Sequence, residues 1–137
     1  MTALVVLQVL FILFIHWVAD FLLQTENMAT KKSTSNYWLT QHVLAYAVGI
    51  IPIGLLVFFM GHVTWAGAIL WVVLNSGLHW LTDYYTSRWT SQLYATKNFY
   101  NPNKYFKYFN FPAFFSVIGL DQIIHYSCLF ITYAAFT

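Results

Sequence analysis

Three pairs of acidic and imidazole side chains recur at one spacing in this chain. His16 and Asp20 stand four residues apart in HWVADFLLQ, His79 and Asp83 in NSGLHWLTDYYTSR, and Asp121 and His125, in reverse order, in DQIIH. Residues four apart share one face of a helix, so each pair aims an imidazole and a carboxylate at a common point. Asn75 and Gln24 extend two of these polar stripes by a further turn. The chain has three Asp and five His, and only His42 and His62 lie outside the pairs. Imidazole and carboxylate together suit zinc, iron, manganese or nickel. The candidate metal ligands are therefore His16, Asp20, His42, His79, Asp83, Asp121 and His125. They suffice for two divalent ions, or for one ion with carboxylates orienting its imidazoles. Gln24, Asn75 and Gln122 are expected behind the ligands, holding them or water. His62, in a short turn, reads as an ordinary polar loop residue.

The elements that must position these groups are apolar. Of 137 residues 60% are hydrophobic and 21% aromatic, and only 7% are charged, against about 25% charged in an ordinary soluble domain. Four apolar segments, 3–23, 38–60, 63–85 and 112–136, each approach the ~20 residues that cross a bilayer as a helix. The expected fold is all-α: an integral membrane four-helix bundle forming a single domain over residues 1–137. The first segment lacks the basic flank and small-residue cleavage site of a signal peptide, and carries His16 and Asp20 inside its apolar run. Cys128 is the one cysteine, which excludes an intrachain disulfide and a thiolate cluster.

All six basic residues lie in two connections: Lys31 and Lys32 in 24–37, then Arg88, Lys97, Lys104 and Lys107 in 86–111. The positive-inside rule makes that side cytoplasmic and leaves both termini outside, as expected for a bacterial inner-membrane protein. The connection between the third and fourth helices mixes Tyr, Phe and Lys around Asn-Pro-Asn and reads as an interfacial segment on the bilayer rather than a nucleic-acid platform. Pro52, beside Gly49 and Gly54, either kinks the second helix or is a tolerated membrane-helix proline. With this topology each Asp lies nearer the cytoplasm than its paired His, and His42 starts the second helix at a similar level.

HWVADFLLQ, the His that opens the second helix, HWLTDYYTSR and GLDQIIH together resemble the bacterial and phage membrane family catalogued as domain of unknown function 3307. The resemblance spans nearly the whole chain and carries over His16, Asp20, Gln24, His42, His79, Asp83, Arg88, Asp121, Gln122 and His125. It implies a small four-helix membrane protein and no particular activity.

An ionised Asp at the centre of a membrane helix costs roughly 2.5–3.5 kcal/mol, so three need a reason. One reading is a metal-dependent hydrolase at the cytoplasmic leaflet. Asp20, Asp83 and Asp121 would serve there as ligands or general base, and Arg88, Lys104 and Lys107 would hold the headgroup of a lipid or phosphoester. The alternatives are an accessory membrane subunit packed by a His/Asp network, alone or in an oligomer, and a metal-ion or proton transporter. Transport is opposed by the scarcity of polar residues beyond the His level, which predicts a site closed on the outer side.

Overall fold

The computed structural model describes residues 2–61, 63–96 and 113–137, and every regular element among them is helical. In chain order they are α1 (Ala3–Trp17), a π-helical segment (Val18–Leu22), α2 (Glu26–Lys31), α3 (Asn36–Gly49), α4 (Ile51–Met60), α5 (Trp65–Ala95) and α6 (Ala113–Phe136). The four-helix expectation is thus met in part. Two stretches, Ala3–Leu22 and Phe114–Phe136, are long and apolar enough to cross a membrane, and α3 with α4 makes a third if read as one bent span. The longest helix, α5, has the length but is loaded with polar residues from Asn75 onward.

Local chemistry explains where the helices begin and break. Thr2, Thr25 and Thr64 each accept a hydrogen bond from a backbone N–H of the first turn, at Val5, Met28 and Gly67 respectively, satisfying donors that the helix itself leaves free. The expected single second helix is two, α3 and α4, bent by 41°. Pro52 lies in the first turn of α4, where its missing N–H costs nothing. The connection 24–37 holds the short helix α2. The connection expected from Thr86 starts ten residues later, because α5 runs on to Ala95. Thr86–Ala95 contains no Gly or Pro, and Thr82 and Thr90 each donate their hydroxyl to the carbonyl four residues back, so the helix continues with its polar groups satisfied. Most of the expected interfacial segment, with Lys97, Lys104 and Lys107, lies outside the described residues, as does His62.

The burial pattern is that of a protein with a lipid-like exterior. Leu7, Phe14, Val48, Phe59, Ile69, Val73, Ile123 and Ile131 are exposed, whereas His16, Asp20, His42, Asn75, His79, Asp83 and His125 are buried. A dry core of Ile12, Tyr46, Ile50, Ile53, Val57, Trp71 and Leu129 joins α1, α3, α4, α5 and α6. α3 crosses the π-helical segment at Gly49, where a Cβ would stand 2.6 Å from Ala19 Cβ and 2.9 Å from Ala19 Cα. The π-turn widens the helix around Asp20, and Gly49 leaves room for it.

Gly49→Val should therefore push α3 from the Asp20 segment and destabilise the protein by about 1–3 kcal/mol, the range for overpacking. The check is a lowered thermal midpoint in detergent. Gly77→Ala, where a Cβ meets nothing within 4 Å, should leave that midpoint unchanged or slightly raised.

Candidate metal centre

Four side chains from three different elements surround one point. Asp20 comes from the π-helical segment, His42 from α3, and His79 and Asp83 from one face of α5. His42 Nε2 lies 3.2 Å from Asp20 Oδ1, 3.3 Å from Asp83 Oδ2 and 3.1 Å from His79 Nε2. His79 Nε2 lies 3.5 Å from the same Asp20 oxygen and 3.8 Å from the same Asp83 oxygen. Ligand atoms about 2.0–2.1 Å from a tetrahedral ion stand about 3.3–3.4 Å from one another. The separations given among these four atoms lie close to that value, so the two His and two Asp could hold one ion, and all four residues are buried.

The seat is held from several sides. The ring of Tyr46 stacks on His79 with centroids 3.8 Å apart and planes 8° from parallel. The Tyr46 Oη is 3.1 Å from His16 Nδ1. Gln122 donates through Nε2 to Asp20 Oδ2 at 3.2 Å and to Asp121 Oδ2 at 3.1 Å. Those two carboxylates require its amide nitrogen on their side, so Gln122 Oε1 faces His16 Nε2 at 3.4 Å. A carbonyl oxygen only accepts, so His16 carries its proton on Nε2 and accepts from the Tyr46 hydroxyl on Nδ1. His16 therefore acts on Asp20 through Gln122. On the far side, Asp121 receives the Thr86 hydroxyl and lies 3.4 Å from His125 Nδ1, while His125 Nε2 is 3.6 Å from Asp83 Oδ1.

Sequence reasoning used Lys32 only for topology, yet it enters the site. From the end of α2 its Nζ donates to Asp83 Oδ2 at 2.7 Å and lies 3.2 Å from His42 Nε2. Burial disfavours the ammonium, but the carboxylates of Asp83 and Asp20 outweigh it and raise the Lys32 pKa above its ordinary 10.5. The paired Lys in the first connection was the available signal; that it reaches inward depends on α2, which bends the connection back over the bundle.

All three Asp, and none of the four clustered His, line a pocket of about 360 Å³. Its walls combine Lys32, Thr86, Ser87, Thr90, Ser91 and Gln122 with apolar Phe21, Phe114 and Ile118. Gln24 also lines it, while Asn75 is turned away, donating to Trp71 O and accepting from Thr132 Oγ1. Arg88 does not line the pocket. It stacks on Tyr84 and donates to Tyr84 O and Asn36 Oδ1. Lys104 and Lys107 lie outside the described residues.

The fold and the cluster define a class: a helical protein with membrane-spanning character and a buried His/Asp group able to hold a metal ion. Residues 7–137 match the family described as protein of unknown function DUF3307, and the chain belongs to that family. No curated protein and no solved structure matches it significantly.

Without metal, Lys32 is the cation that offsets Asp83. Lys32→Met should lower the stability of chelator-treated protein by about 3 kcal/mol, the low end for breaking a buried pair, with Lys32→Arg partly restoring it. Because the Lys32 pKa is raised on folding, its contribution is fully present below pH 10.5 and lost as pH rises through the higher folded value. The wild-type advantage over Lys32→Met should thus hold from neutral pH to about pH 10 and shrink only beyond it, as read from thermal midpoints across pH.

Proposed function

We propose that this chain is an integral membrane metalloprotein whose His/Asp centre binds a divalent cation and hydrolyses an ester or phosphoester presented at the membrane–water interface. The observation that carries this reading is the close grouping of Asp20, His42, His79 and Asp83, at separations suited to one ion, beneath a pocket lined by their carboxylates. A divalent ion at the His/Asp centre, zinc, iron or manganese, would supply Lewis-acid polarisation and lower the pKa of a water molecule wherever one of its coordination positions is left open to the pocket. The chain supplies the rest. Asp20, Asp83 and Asp121 provide the carboxylates on the pocket floor, as ligands or proton acceptor. With the ion balancing Asp20 and Asp83, Lys32 is free to turn toward an anionic group. Thr90 and Ser91 offer hydroxyls to a polar headgroup, and Phe21, Phe114 and Ile118 an apolar wall to its chain.

In this reading α1, α3 with α4, α5 and α6 form four spans of one domain. The Lys-bearing connections face the cytoplasm, and both termini lie outside. The apolar core of Ile12, Ile50, Ile53, Val57, Trp71 and Leu129 offers an ion no ligands, which favours a one-sided site over a transport path. An accessory role based on packing alone remains the reading if the centre holds no metal.

Purified protein should carry a divalent metal by elemental analysis, and Asp83→Asn or His42→Ala should remove it while leaving the helices inserted. Gln122→Ala, which loosens Asp20 without removing a ligand of the seat, should weaken metal affinity by about 10–100-fold. Liposome-reconstituted protein offered a panel of phospholipids and phosphoesters should hydrolyse one class, with activity lost in Asp83→Asn. Metal-dependent ion flux without any hydrolysis would sink the enzyme reading, and absence of metal would leave the packing network.

A further inference from the structure

We infer that Asp83 bridges two divalent cations, the second held by Asp83, Asp121 and His125 and open to the pocket. This deepens the metal-centre reading above and rests on it. Asp83 divides its oxygens: Oδ2 belongs to the four-residue seat, at 3.3 Å from His42 Nε2 and 3.8 Å from His79 Nε2. Its Oδ1 faces the other way, 3.6 Å from His125 Nε2. One ligand atom each from Asp83, Asp121 and His125 lies within 4.8 Å of the others, which makes a second group of metal-binding size. His125 adds an independent sign. It is 2% exposed, and its ring nitrogens face carboxylates on two sides, Asp121 Oδ2 at 3.4 Å and Asp83 Oδ1 at 3.6 Å, without the geometry of a good hydrogen bond to either. A buried imidazole with only long contacts to carboxylates is costly, and coordination of an ion through one ring nitrogen would lower that cost.

The two seats differ in the way structural and catalytic sites differ. Four protein ligands close the first, as in structural sites, whereas three ligands leave a position free, as in catalytic ones. Asp83 and Asp121 both line the pocket, so the free position of the second ion faces it. A carboxylate shared between two ions allows them to stand about 3.5–4 Å apart, the separation at which paired ions clamp both the attacking and the leaving oxygen of a displacement. Thr86 and Gln122, bonded to the two oxygens of Asp121, hold it in this orientation.

The test uses the full chain in detergent, stripped with chelator and reloaded with Mn²⁺, with bound metal counted by elemental analysis and the ions' coupling read by electron paramagnetic resonance. Wild type should bind two Mn²⁺ per chain with an exchange-coupled spectrum. His125→Ala and Asp121→Asn, both checked for native elution and tryptophan fluorescence, should each retain one ion with an isolated-ion spectrum. One ion in wild type, unchanged in both variants, would overturn the second seat and leave the first standing. Two ions without exchange coupling would overturn the bridge through Asp83. No bound ion in wild type would overturn this inference together with the function on which it rests.

Discussion

The structure depends on compensating carboxylates that apolar helices have carried out of water. Asp20 and Asp83 are nearly fully buried, and an uncompensated charge there would oppose both membrane insertion and packing. Compensation comes from elements far apart in sequence: His42 lies between the two carboxylates, Lys32 reaches Asp83 from α2, and Gln122 reaches Asp20 from α6. Among the described residues, Asp20 and Asp83 take their hydrogen bonds from other elements. Each carboxylate therefore pulls neighbouring elements together, and the polar cluster specifies the arrangement of an exterior whose greasy side chains would tolerate many.

Close backbone approach makes this convergence geometrically feasible. At Gly49 the α3 backbone comes against Ala19, one residue before Asp20, within a turn that is π-helical rather than α-helical. The π-turn, a form common at functional sites, sets Asp20 where His42 and His79 can both reach it. Immediately beyond Gly49 the helix breaks at Ile50, and α4 leaves at an angle to cover Ala68 and Val72 of α5 through Gly54. A small residue, a widened turn and a bend thus cooperate to bring α1 and α3 to one point on α5.

Polarity is distributed asymmetrically around that point. On one side lies the pocket with its hydroxyls, Lys32 and the three Asp. On the other lies a dry core built around Trp71 and Leu129. Desolvating an ion costs least where ligands replace its water and most where only hydrocarbon is available. The three Asp of the cluster therefore face the pocket side, which combines a polar floor with an apolar wall.

Much of this was legible in the sequence because a helix turns four-residue spacing into a shared face whatever its surroundings. The pairing of His16 with Asp20, His79 with Asp83 and Asp121 with His125, the helical class and the membrane character followed from spacing and composition. Family membership followed from the same motifs. Other features needed tertiary structure, since they depend on which backbones meet. Among the described residues six α-helices stand in place of the expected four, because Pro52 starts a new helix and the first connection folds into α2. Lys32 became a site residue through that helix, while Arg88, with the more suggestive neighbourhood in sequence, stacks on Tyr84 outside the pocket. Asn75 shares the stripe of His79 and Asp83 yet bonds to Thr132 on α6. His16 shares a face with Asp20 but works through Gln122, a residue 106 positions away. Spacing along one helix fixes which side chains share a face; which partner covers each part of that face is decided only when the helices pack.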